Sequence, residues 1–179
     1  MRSWKVSGIV ALLVLLPLAG AFARGAGGFS WGEQYFDPSL SNVNLGATFN
    51  GAYGYTVTWG GQRYGGFALA AHSDAIVPAF YGGFVGGIAG QEMHTGPFMA
   101  AITAWTGFGA ITVNPVTQGP GAFALFGELT LEAGLSFRPG ITFTGYAGMQ
   151  VIAQVFPEQQ IAQNALYSPV VGMRIAWGS

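Results

Sequence analysis

Charge is scarce in this chain of 179 residues, with 7 Asp and Glu, 6 Lys and Arg and 2 His. The spacing of its few carboxylates therefore decides what chemistry it can offer. Over 122–138, Glu128, Thr130, Glu132, Ser136 and Arg138 share one parity, while Phe123, Leu125, Leu129, Leu131, Leu135 and Phe137 share the other. A period of two places each set on its own face of a β-strand. Glu128 and Glu132 then project to the same side, too far apart to share a proton but close enough for one guanidinium to neutralise both. If a hairpin at Pro139 pairs Phe137 with Ile141, Glu132 falls opposite Tyr146 and Glu128 opposite Gln150. Gln154 follows on the same face, and Arg174 joins it from the last strand by parity. Glu128, Glu132, Tyr146, Gln150, Gln154 and Arg174 thus form a candidate polar network, serving either as structural ion pairing or as a gate or ligand contact.

His72-Ser73-Asp74 invites a hydrolase or acyl-transferase reading. Adjacent strand residues point to opposite faces, so His72 does not activate Ser73 unless the chain bends there. No catalytic residue is assigned, and a lipid-modifying enzyme using His72, Ser73 and an acid is the second reading. His94 falls in an expected turn beside Glu92 and Thr95. Two histidines without a short common spacing make no metal site, and the absence of Cys removes thiolate sites and disulfides. No Gly-rich phosphate loop precedes a helix, so no cofactor is expected. A net charge of −1 excludes a nucleic-acid partner.

The elements that must position these residues follow a targeting segment. Arg2 and Lys5, an apolar run from Gly8 to Leu16, Pro17 and Ala21-Phe22-Ala23 read as a secretory signal peptide over 1–23. Beyond it, 24–179 contains no Lys, and its cations are Arg24, Arg63, Arg138 and Arg174. The charged share of the whole chain, 7%, is far below that of soluble domains. Alternation recurs over 44–59, where Leu45, Ala47, Phe49, Tyr53, Tyr55, Val57 and Trp59 oppose Asn44, Thr48, Asn50, Thr56 and Thr58. It recurs again over 141–155 and 167–177. Such strands exceed the usual globular length. With segments at 29–36, 62–72, 79–91 and 98–113, the chain predicts an all-β fold, an eight-stranded antiparallel transmembrane up-and-down β-barrel with apolar residues outward. Short turns at Gly60-Gly61, Glu92 to Pro97 and Arg138-Pro139-Gly140 mark the periplasmic side. The longer connections 37–43, 73–78, 114–121 and 156–166 mark the other. Trp59, Phe137, Phe143 and Trp177 are expected at the periplasmic membrane interface, with Phe49 and Phe123 at the opposite one. The segment 79–113 is apolar on both faces, and Gly82, Gly86 and Gly90 also allow a helical hairpin.

Signal peptide, eight alternating segments and an aromatic-bearing last strand resemble the small eight-stranded outer-membrane barrels, the OmpX-, OmpA-barrel- and OmpW-like class. The resemblance is one of pattern over 24–179, without a diagnostic motif. It implies an outer-membrane protein, exported through the secretory pathway, that contacts the lipid bilayer and the outer-membrane assembly machinery. That machinery reads a terminal aromatic residue, whereas here Trp177 is followed by Gly178-Ser179. The expected function is non-enzymatic: a structural or surface role, or the passage or binding of small hydrophobic compounds by a lumen with apolar patches. A secreted soluble β-barrel that binds an apolar ligand is a further reading.

Overall fold

A computed structural model of the chain describes residues 25–35, 46–73, 80–113, 122–137, 140–155 and 165–178. The expected signal peptide and most of the four longer connections lie outside the described residues. Eight strands form in chain order: β1 (Gly25–Tyr35), β2 (Gly46–Val57), β3 (Gln62–Ser73), β4 (Phe80–Thr95), β5 (Phe98–Val113), β6 (Ala122–Phe137), β7 (Ile141–Gln154) and β8 (Ala165–Gly178). Each pairs antiparallel with its neighbour in sequence, and β1 pairs with β8 to close the barrel. The segment open to a helical reading is thus a pair of strands, β4 and β5, in continuous register from Phe80↔Val113 to Thr95↔Phe98. Gly96-Pro97 joins them, and Gly96 takes φ 61° at the first central position of this two-residue loop, where an L side chain would be strained. β4 accordingly runs on through Glu92–Thr95, which the sequence assigns to a turn.

The stagger follows from the registers. Pairing outward from Phe29 leads through Ala52, Ala68, Val85, Phe108, Leu125 and Ala153 to Ala165. Phe29 itself faces Ile175, ten residues further along β8. A shear of ten on eight strands tilts them by about 40° and leaves a lumen only wide enough for side chains or one small ligand. At the β1–β8 closure, Gly32 and Gly172 leave the space that the Tyr146 phenol fills. A Cβ on either glycine would meet that ring.

The two walls differ sharply. Large apolar side chains lie exposed on the outside, including Phe29, Phe108, Leu125, Leu129, Leu131, Met173 and Ile175. Among the described strand residues, Arg63, Glu92, Glu128, Glu132 and Arg174 are buried on the inner face, and Glu33 is the one acid on the outer face. One strand reverses the expected orientation. On β2 the aromatic parity faces inward: Phe49 is 3% exposed and Tyr53 is also buried. Phe49 is therefore a core residue, not an interface aromatic. The reason is volume, because a barrel of this size must fill its own lumen, and the odd positions of β2 supply the rings that do so.

Candidate functional site: the barrel lumen

The turn-end half of the lumen holds a linear chain of five ionisable side chains drawn from four strands. Arg63 on β3 donates through Nε to Glu92 Oε2 on β4 at 2.5 Å, and through Nη1 to Glu132 Oε2 on β6 at 2.8 Å. The other oxygen of Glu132 accepts from Arg174 Nη1 of β8. Arg174 also reaches Glu128 Oε1 through Nη2 at 2.6 Å. Glu128 Oε2 accepts from Gln150 Nε2 of β7 at 2.9 Å, and His94 Nε2 lies 3.1 Å from Glu92 Oε1 at the mouth. Each guanidinium also lies against aromatic rings: Arg63 over Tyr55 at 4.6 Å, and Arg174 over Trp105 at 4.3 Å and Tyr146 at 3.9 Å. Charged groups withdrawn from water are tolerated only when paired and hydrogen-bonded on all sides. Arg174, bonded to two carboxylates and weakly to Thr130 and Ser30, meets that condition.

Above this chain, rings from opposite walls meet. Phe49 of β2 lies 6.3 Å from Phe126 of β6, and both contact Phe84, at 6.4 Å and 5.1 Å. Phe67 continues the contact to Phe126 at 5.4 Å and to Trp105 at 5.0 Å, and Tyr53 adds to Trp105 at 5.5 Å. Ring contact from one wall to the other closes the lumen across its middle. Each such pair adds roughly 0.5–1.5 kcal/mol beyond the area it buries.

Of the six residues read as a polar network, the structure brings five together: Glu128, Glu132, Tyr146, Gln150 and Arg174. Glu132↔Tyr146 and Glu128↔Gln150 are paired as the Pro139 hairpin requires. Gln154 faces inward on β7, but its Nε2 has no hydrogen-bond partner and it does not join the chain. Arg63 and Glu92 are members that sequence reasoning missed. The signal for Arg63 was its parity with Phe67, Leu69 and Ala71 on β3, obscured because Ala68 and Ala70 make the other face nearly as apolar. Glu92 was hidden by its assignment to a turn. Phe123, Phe137, Phe143 and Trp177 lie exposed on the outer wall, with Phe123 stacked on Phe108 at 6.0 Å and Phe137 edge-on to Phe143 at 5.9 Å. Trp59 is fully exposed in the β2–β3 turn rather than on the strand. Ser73 is buried on the lumen side, and its neighbour His72 has the outward parity of β3, so the wall separates the pair. Among the described residues no group of His, Asp or Glu could hold a metal ion.

These features define an eight-stranded antiparallel closed barrel with an apolar exterior and a filled, ion-paired interior. No protein-family model matches the chain, and no curated protein matches it. Among solved structures, the chain is similar to Neisserial surface protein A (NspA), with a TM-score of 0.65 and 11% sequence identity, over 87% of this chain and 96% of that one. At that identity the likeness is one of fold, and it is to a small eight-stranded outer-membrane barrel, the class named from the sequence.

Proposed function

We propose that this chain is an outer-membrane barrel with a structural or surface role and no catalytic one. Residues 1–23 direct export, the barrel crosses the bilayer with its short turns toward the periplasm, and the longer connections face the outside. The observation that carries this reading is the partition of charge across the wall. In water, a continuous exterior of Leu, Phe, Met and Ile would be an association surface far larger than soluble monomers carry. In a bilayer it is matched to its solvent. Twelve residues at this tilt rise about 30 Å, the thickness of the hydrocarbon core. Phe137, Phe143 and Trp177 near one rim and Phe123 near the other suit the two headgroup levels. The alternating last strand is what the assembly machinery would read. The fold of NspA, whose name records a surface protein, agrees with this placement.

Rings that meet across the lumen favour a structural or surface role over passage of small hydrophobic compounds. Separation of His72 from Ser73 speaks against the lipid-modifying alternative. The test is to refold the chain in detergent, compare boiled and unboiled migration on a gel, and measure solute flux in proteoliposomes. A migration shift without flux is expected. A monodisperse folded protein in buffer without detergent would sink the outer-membrane reading, and rapid flux of small sugars would sink the closed lumen.

A further inference from the structure

The outer wall is not uniform around the barrel. On β5 to β8 it carries large exposed side chains, among them Phe108, Leu129, Leu131, Met149 and Met173. On β2 to β4 the same wall is small or polar: Thr48, Asn50 and Ala52, then Ala68 and Ala70, then Gly83. Beside this flat stretch stands Glu33, the one acid on the outer wall among the described residues. Its neighbours there are Trp31 on β1 and Val171 across on β8, both exposed and apolar. An ionisable group on a lipid-facing wall is costly and is kept where a partner meets it. Glu33 and His72 each interact within their own chain, and a carboxylate has acceptor sites for more than one donor.

We propose that a second copy of the chain docks on this wall, about a two-fold axis that runs along the membrane normal past Thr48. The inference rests on the outer-membrane placement, which gives every copy the same orientation and so permits such an axis. Glu33 pairs with Thr48, and Thr48 with His72, one outward row across β1, β2 and β3. Asn50 is the next outward residue of β2. At a strand tilt of about 40° it stands about 4 Å to one side of Thr48 and Glu33 about 4 Å to the other, at depths that differ by about 2 Å. The rotation therefore lays the Asn50 carboxamide of each copy over the Glu33 carboxylate of the other. The amide N–H donates and the carboxylate accepts, a charge-assisted bond made twice. His72 of that other copy falls in line with the same carboxylate, nearer the long connections, so Glu33 sits between two polar groups. Shape agrees with charge. Val171, beyond Glu33 in the row, comes over the flat wall between Ala52 and Ala70 of the second copy. Trp31 falls close to the axis and meets its own counterpart. In lipid, small residues that let two walls approach and polar groups that bond across them are what hold spans together. Hydrocarbon chains would leave the amide and the carboxylate without donors or acceptors, and an unrelated span would have to reproduce a match that the chain already makes with itself.

The chain has no Cys, so a single introduced one reports alone. The full chain carrying Thr48→Cys is refolded into phosphatidylcholine vesicles at high dilution in lipid and oxidised. Most of it is expected to run as a covalent dimer, whereas Leu129→Cys, exposed on the opposite wall, should stay monomeric. Energy transfer between copies labelled at a single Gly60→Cys, in the exposed β2–β3 turn, then gives the strength of association. Asn50→Leu should weaken it about fivefold or more, the loss of two interfacial bonds in lipid. Ala70→Phe should abolish it by filling the space that Val171 needs. The gel shift of unboiled samples reports barrel closure separately, so should one variant fail to fold, the other carries the comparison. Closed barrels that remain monomeric in lipid, equal cross-linking through Thr48→Cys and Leu129→Cys, or undiminished association in both variants overturns the dimer. No gel shift in any sample overturns the membrane placement and the dimer with it.

Discussion

Arg174→Met isolates the contribution of the ion chain. The substitution keeps most of the apolar stem but removes the bond to Glu128 at 2.6 Å, the bond to Glu132, and the contacts over Trp105 and Tyr146. Glu132 keeps Arg63 at 2.8 Å. Glu128 keeps only the Gln150 amide. The uncompensated charge therefore falls on Glu128, and removing one partner of a buried pair costs about 3–5 kcal/mol. Adding Glu128→Gln to Arg174→Met eliminates that charge and should return about 2 kcal/mol or more, even though it deletes another native group. The assay is reversible denaturant unfolding in detergent micelles or vesicles, followed by tryptophan fluorescence, on the wild type, both single variants and the double variant. A single variant within about 1 kcal/mol of the wild type, or a double variant no more stable than Arg174→Met, would refute the view that the network is a set of mutually dependent buried charges.

Phe49→Ala should cost about 3–5 kcal/mol because it opens a hole among Phe84 and Phe126, whereas Phe123→Ala on the outer wall should cost no more than about 1 kcal/mol. The same unfolding measurement compares them, and equal costs would contradict the inward orientation of β2. Gly32→Ala should lose about 1–3 kcal/mol by forcing a methyl against the Tyr146 hydroxyl, and adding Tyr146→Phe should recover most of it in a double-variant cycle. Ala substitution of His72 and Ser73 should leave the lipid profile of the host membrane unchanged, and an altered acylation pattern would revive the enzymatic alternative.

How far the sequence was legible varies strand by strand. On β6 and β7 the faces differ in kind, Leu and Phe against Glu, Thr and Gln, so alternation alone is enough to read orientation, register and the pairing of Glu132 with Tyr146. On β2 the aromatic residues share one face and Gly, Thr, Asn and Ala make the other, yet it is the aromatic face that turns inward, and on β3 and β4 both faces are largely small, apolar or aromatic. Periodicity there announced strands at most, and it misplaced Phe49. A hydrophobicity pattern ranks faces only when one is clearly more polar, and a small barrel breaks the rule locally because its interior needs rings and its exterior tolerates glycine and alanine.

The sequence by itself determined that most of the chain is built of long strands and that Glu128, Glu132 and Arg174 share the inward parity, because alternation and composition are local properties; that 79–113 is a pair of strands was left to the tertiary structure. Only the tertiary structure decided that Arg63 of β3 and Arg174 of β8 meet on one carboxylate of β6. Barrel closure and a shear of ten bring together side chains from strands distant in sequence, and no local pattern encodes that stagger. The same closure turned the aromatic face of β2 inward, since filling the lumen is a constraint on the summed volume of all eight strands and not on any one of them.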